Sequence, residues 1–96
     1  MVIASLKIIL DFYGNQNLHK KKDELATLFK DVKKKFNVSV LETADFDDYE
    51  RCVFGVTALC VDEKSARAMS KKITDHIDGS AFARVVMEDS ELFFHD

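Results

Sequence analysis

The run Lys33-Lys34-Lys35-Phe36-Asn37-Val38-Ser39-Val40-Leu41-Glu42 constrains this chain more than any other, because its hydrophobic period changes within it. Before Phe36, apolar residues recur at spacings of three and four, the signature of one helix face. After it they alternate, the signature of a strand. The three lysines suit the carbonyl end of a helix, where the macrodipole favours cations. One short window therefore places a helix, a connection and a strand.

Outward from that window the remaining elements follow. In residues 2–12, Val2, Ala4, Leu6, Ile8, Leu10 and Phe12 share one side, opposite Ile3, Ser5, Lys7, Ile9 and Asp11. That alternation predicts a strand with one apolar and one mixed face. Gly14 to Asn17 break the chain, and Asn17 is suited to cap a helix. Leu25, Leu28, Phe29, Val32 and Phe36 form the seam of an amphipathic helix over 18–36, with lysines around its solvent side. A second strand covers 37–46, with Val38, Val40 and Ala44 on one side, and Asp45-Phe46-Asp47-Asp48 is its turn. The nearly continuous apolar run 50–61 predicts a third, central strand covered on both faces. Asp62 caps a second helix with the seam Ala66, Met69, Ile73 and Ile77, and Gly79 suits a C′ position of positive φ. A last strand covers roughly 82–89. Leu92-Phe93-Phe94 then either pack on the chain's own sheet edge or dock into a partner.

The order β-α-β-β-α-β, with right-handed crossovers, places both helices on one side of the sheet. It predicts a ferredoxin-like α+β sandwich with a four-stranded antiparallel sheet in the order 4-1-3-2. The 96 residues read as one domain without linker or low-complexity segment. Two buried cytosolic thiols are expected. Cys52 and Cys60 lie in one strand, roughly 26 Å apart at its rise, which is beyond disulfide reach. No stretch is long and apolar enough for a membrane helix. Val2–Leu10 lacks a basic leader and is interrupted by Lys7, so it reads as strand and not as signal peptide. The expected setting is cytoplasmic.

Net charge is only −3, from 14 basic and 17 acidic residues, and names no partner. Its distribution is less even, since Lys20, Lys21, Lys22, Lys30, Lys33, Lys34 and Lys35 crowd the first helix. Lysines there attract phosphates by charge alone. By helical phase Lys20, Lys30 and Lys34 oppose the seam, Lys33 and Lys35 flank it, and Asp31 is placed to pair with Lys35. The plainer reading is a solvated helix surface. The sheet face away from the helices lacks the aromatic pair on which RNA-recognition domains stack bases. Its apolar residues point instead to an interface, with homodimerisation the favoured explanation.

Catalytic constellations are missing. His19, His76 and His95 are scattered, with no nucleophile–base spacing. The loop after the first strand lacks the glycines and arginine of acylphosphatases, and there is no Cys-x-x-Cys metal clip. Asp45, Asp47 and Asp48 fall short of a calcium loop. No cofactor and no metal are expected.

With these residues in place, the chain resembles the YlxP-like family, domain of unknown function 503. Gly14 and Leu18-His19-Lys20-Lys21-Lys22 match its turn glycine and helix start. Lys33 to Val40 with Glu42 match its basic triplet, Phe-Asn-Val-Ser-Val and glutamate. Tyr49, Arg51, Gly55-Val56 and Asp62 continue the pattern, which runs from the first strand through the second helix. His19 with three lysines departs from the family's usual mix of Lys, Glu and Arg, and Tyr49 stands where tryptophan is common. The resemblance implies a ferredoxin-like fold, a bacterial cytosolic setting and no established catalytic residues. It also implies gene neighbours in translation and ribosome maturation. The resulting expectation is a non-enzymatic accessory protein binding RNA or a ribosomal particle through Lys20, Lys21, Lys22, Lys33, Lys34 and Lys35, without reading bases. The alternative is a homodimeric or small-ligand module using the open sheet face, its lysines serving solubility.

Overall fold

Six elements follow in the order β1 (Val2–Asp11), α1 (Leu18–Lys35), β2 (Val38–Ala44), β3 (Arg51–Cys60), α2 (Glu63–Asp78) and β4 (Arg84–Phe94). They come from a computed structural model that describes residues 1–80 and 82–96. The four strands form one open antiparallel sheet in the order β2-β3-β1-β4, which from the opposite edge reads 4-1-3-2. The fold is α+β.

Side-chain period explains how the two layers meet. Val2, Ala4, Leu6, Ile8 and Leu10 of β1 are all buried, and so are Cys52, Phe54, Val56, Ala58 and Cys60 of β3. These even positions share a core with Leu25, Leu28 and Val32 of α1 and Ala66, Ile73 and Ile77 of α2, so both helices cover the same sheet face. Burying each large aliphatic side chain contributes about 1.5–3 kcal/mol. Phe29 of α1 meets Phe54 of β3 with ring centroids 5.0 Å apart, closing the core on the β2 side.

Caps set the helix starts as expected. Asn17 Oδ1 accepts from the Lys20 N–H at 3.1 Å, and Asp62 Oδ1 accepts from the Ser65 N–H at 2.8 Å. Hydrogen bonding from Ser65, its side-chain hydroxyl first and its backbone N–H second, holds the Asp62 carboxyl below its usual range. Gly79 departs from expectation. It closes α2 with φ −74°, donating its N–H to the Asp75 carbonyl, so no left-handed residue ends the helix. Gly14, at φ +76°, is the glycine whose backbone needs its freedom.

The strands depart from the sequence reading in three ways. β3 is central but only partly covered on its outer face: Val53 is buried there, whereas Thr57 is exposed and Leu59 is 67% exposed. β2 shifts register between Glu42 and Ala44, so Ala44 pairs with Val53 and leaves the side of Val38 and Val40. β4 runs five residues past the expected end and absorbs Leu92-Phe93-Phe94. Leu92 packs on the core, whereas Phe93 and Phe94 remain exposed on opposite faces of this edge strand.

Candidate functional site

The lysines of α1 divide three ways. Lys21 is fully buried and is the one charged residue of the core among the described residues. Its position explains this: it lies four, seven and eleven residues before Leu25, Leu28 and Val32, on the seam itself. Its Nζ donates to the carbonyl of Asp45 at 2.9 Å and to the carbonyl of Asp48. Lys21 is therefore removed from the expected phosphate-binding set. It holds the start of α1 against the β2–β3 loop, and backbone dipoles there replace the water its ammonium has lost.

Lys20, Lys22, Lys33, Lys34 and Lys35 are exposed, and none holds an ion pair among the described residues. At roughly 100° per residue, Lys22, Lys30, Lys33 and Lys34 share an arc of about 120° that runs from the flank beside Phe29 to the side opposite the seam. Lys22 and Lys34 stand roughly 18 Å apart along the axis. Lys20 stands about 40° beyond Lys34, still opposite the seam, and Lys35 turns to the other flank, alongside Glu24 and Asp31.

One acid of that flank is engaged elsewhere. Asp31 Oδ2 meets His76 Nε2 of α2 at 2.6 Å, so it does not form the expected pair with Lys35. His76 also sits edge-on to Phe36, with centroids 5.6 Å apart. Asp23, which falls within the outward arc, pairs with His19 at 3.3 Å. These contacts leave the outward arc with a surplus of unpaired ammonium groups. The His76–Asp31 contact spans 45 residues and has no signature in the sequence.

At the sheet end beneath the start of α1, two loops are bound together. Gly14 N–H donates to Glu50 Oε2 at 2.8 Å, and Asn15 Nδ2 donates to the Tyr49 carbonyl at 2.7 Å. Asp48 Oδ1 accepts from the N–H groups of Arg51 and Glu50, each at 2.8 Å. Those bonds, Arg51's first, hold its carboxyl below the usual carboxylate range. The acidic turn is thus a structural clamp closed by Lys21. Among the described residues no cluster of three or more His, Cys, Asp or Glu could hold a metal.

Both cysteines are free and buried. Burial, followed by the Glu42 carboxylate that accepts the thiol proton at 3.7 Å, pushes the Cys52 thiol up to about 12. A thiol so placed stays protonated and unreactive at neutral pH.

The sheet face away from the helices is uncovered, and register resolves it into rows across β3, β1 and β4. The first row is apolar, with Leu59, Ile3 and Phe93. The second holds Thr57, Ser5 and Glu91, and the third Gly55, Lys7 and Asp89. The fourth is apolar again, with Met87 exposed, Ile9 half-buried and Val53 already buried. The last is Arg51, Asp11 and Arg84. The face is therefore banded and not uniformly apolar. The small-ligand alternative gains no cavity on it: the grooves lie elsewhere, one of about 580 Å³ lying between α2 and β4 on the helix side, beside Ser70, Lys71, Glu88 and Leu92.

No helix is long and apolar enough to cross a membrane. A family model described as a protein of unknown function, DUF503, matches residues 3–89. No curated protein matches the chain.

Proposed function

The chain belongs to the DUF503 family, and from that membership and the geometry we propose an accessory protein that binds the phosphate backbone of RNA through the outward arc of α1. The observation that carries this reading is the segregation of charge on one helix. Lys22, Lys30, Lys33 and Lys34 face outward without ion pairs, while Asp23 and Asp31 are each held by a histidine. Four ammonium groups on a rigid helix match a polyanion by displacing counterions, and nothing in the arc reads bases. The element order, sheet order and one-sided helices support a ferredoxin-like classification. No nucleophile–base pair accompanies the lysines, which favours binding over catalysis.

A filter-binding titration against ribosomal RNA at two salt concentrations tests the reading. With four phosphate contacts, log affinity falls against log salt with a slope of about −3, and each lysine replaced by alanine reduces that slope by about 0.7. Absence of binding at low salt, or binding unchanged when Lys33, Lys34 and Lys35 are all replaced by alanine, refutes it.

A second reading has its own observation. Leu59, Phe93 and Met87 are 67%, 51% and 44% exposed on the sheet face opposite the helices. An apolar face of this kind suits a homodimer.

A further inference from the structure

Resting on that homodimer reading, we propose that two copies meet sheet to sheet about a two-fold axis parallel to the strands, running between β1 and β3. The argument comes from the order of the rows. A two-fold along the strands keeps each row at its own level and exchanges β1 with β3. The apolar row of Leu59, Ile3 and Phe93 then lies on its own copy, and so does the row of Val53, Ile9 and Met87. Between them hydroxyl faces hydroxyl, with Thr57 over the partner's Ser5. The alternative two-fold, across the strands, reverses the rows and sets the first apolar row against the charged row at the far end.

Two details favour the first arrangement. Lys7 is exposed in the middle row, and the exchange of strands sets it over the partner's Gly55, which has no side chain of its own and has the Thr43 methyl beside it. Asp89, its cross-strand neighbour, supplies the countercharge. At the end of the sheet, Asp11 lies in register between Arg51 and Arg84, and its Oδ1 is buried without a hydrogen bond. A row of alternating cation, anion and cation matches its own copy when displaced by one strand. The exchange of β1 and β3 makes that displacement, bringing a second arginine over each Asp11. The exposed face spans roughly 20 Å by 27 Å from strand spacing and rise. Two copies bury on the order of 1,000 Å², at the lower limit for a specific interface. The expected dimer is therefore weak and reversible.

Light scattering on the purified chain from tens of micromolar to one millimolar reads the assembly. A mass that doubles with concentration, at least tenfold weaker in Leu59→Glu and in Phe93→Glu and unaffected by Lys33→Glu, supports the proposal. Both face variants alter exposed side chains, so circular dichroism confirms their fold, and either one suffices if the other fails to fold. A Leu59→Cys protein treated with a short bismaleimide fixes the axis, because the native thiols are buried. Along-strand symmetry brings the two introduced cysteines near each other and yields a self-linked dimer. Across-strand symmetry parts them by about 20 Å or more and links Leu59→Cys to an Arg51→Cys partner instead. A monomer at one millimolar overturns both the homodimer and its symmetry. A dimer indifferent to Leu59→Glu overturns the use of this face. Cross-linking to Arg51→Cys, and not to itself, keeps the homodimer and overturns this two-fold.

Discussion

Two lysine triplets stand on α1, Lys20-Lys21-Lys22 at its start and Lys33-Lys34-Lys35 at its end, and the fold treats them in opposite ways. In the first, the middle lysine is fully buried and bonded to loop carbonyls. In the second, all three are exposed. Composition is identical, so phase decides. Position 21 falls on the seam that continues through Leu25, Leu28 and Val32, whereas 33–35 lie between the seam residues Val32 and Phe36. A charged triplet is therefore not a unit of function. Each lysine has to be placed against the core before it is assigned to a partner.

The sharpest way to break this contrast is to replace one lysine from each triplet. Lys21→Ala strands the carbonyls of Asp45 and Asp48 in a dry site, and a cost of about 2–4 kcal/mol is expected. Thermal denaturation then shows a midpoint lower by roughly 10–25 °C. Lys34→Ala shifts stability by no more than about 0.5 kcal/mol. Equal losses from the two would end the distinction. Lys21→Met, which fills the same volume without charge, separates packing from hydrogen bonding: recovery of more than half the loss would assign the site to packing.

Binding runs the contrast the other way. Replacing Lys33, Lys34 and Lys35 together by alanine lowers RNA affinity at low salt by about tenfold or more, with little change in stability. Asp48, whose carboxylate is held below its ordinary value of 3.8 by the N–H groups of Arg51 and Glu50, adds a pH signature to the clamp that Lys21 closes. A depressed folded-state value gives stability that is present above 3.8 and lost as pH falls through the lower folded-state value. Asp48→Ala flattens that acid limb in pH-dependent denaturation, and Asp48→Asn, which keeps an acceptor, preserves part of the stability.

Cys52 behaves oppositely in pH. Its thiol is raised from 9.0 to about 12, so its contribution is present below 9 and lost as pH climbs toward 12. The native protein resists alkylation at pH 8, and denaturant releases the reaction. A small effect is expected at His76, whose partner Asp31 is more than half exposed. His76→Gln costs no more than about 1 kcal/mol, a value that a double-mutant cycle with Asp31→Asn checks.

The order of elements was legible because each segment keeps its period: two in β1 and β3, three and four in the helices. Lys21 was also legible, four residues before Leu25, once the seam was extended past its apolar members. The rest failed for physical reasons. Glu88-Asp89-Ser90-Glu91 hides the second half of β4, because an edge strand left bare on both faces needs no apolar alternation. Continuous apolarity in β3 suggested two covers, but Leu59 is left bare by the absence of a second layer. The contact of His76 with Asp31 joins residues on different helices, and no local pattern announces it. Among the expected phosphate ligands, Lys35 was grouped with Lys22 and Lys33, which helical phase places on the opposite flank.

The bond from Lys21 to the β2–β3 loop has a consequence in time. Donor and acceptors lie 24 and 27 residues apart, and the contact exists only once the helix, the hairpin and the core between them are in place. It is accordingly among the last contacts made and the first that unfolding must release. Removing it accelerates the unfolding limb of a chevron and leaves the refolding limb nearly unchanged. A single side chain thereby governs how long the native state persists without setting how quickly it is reached.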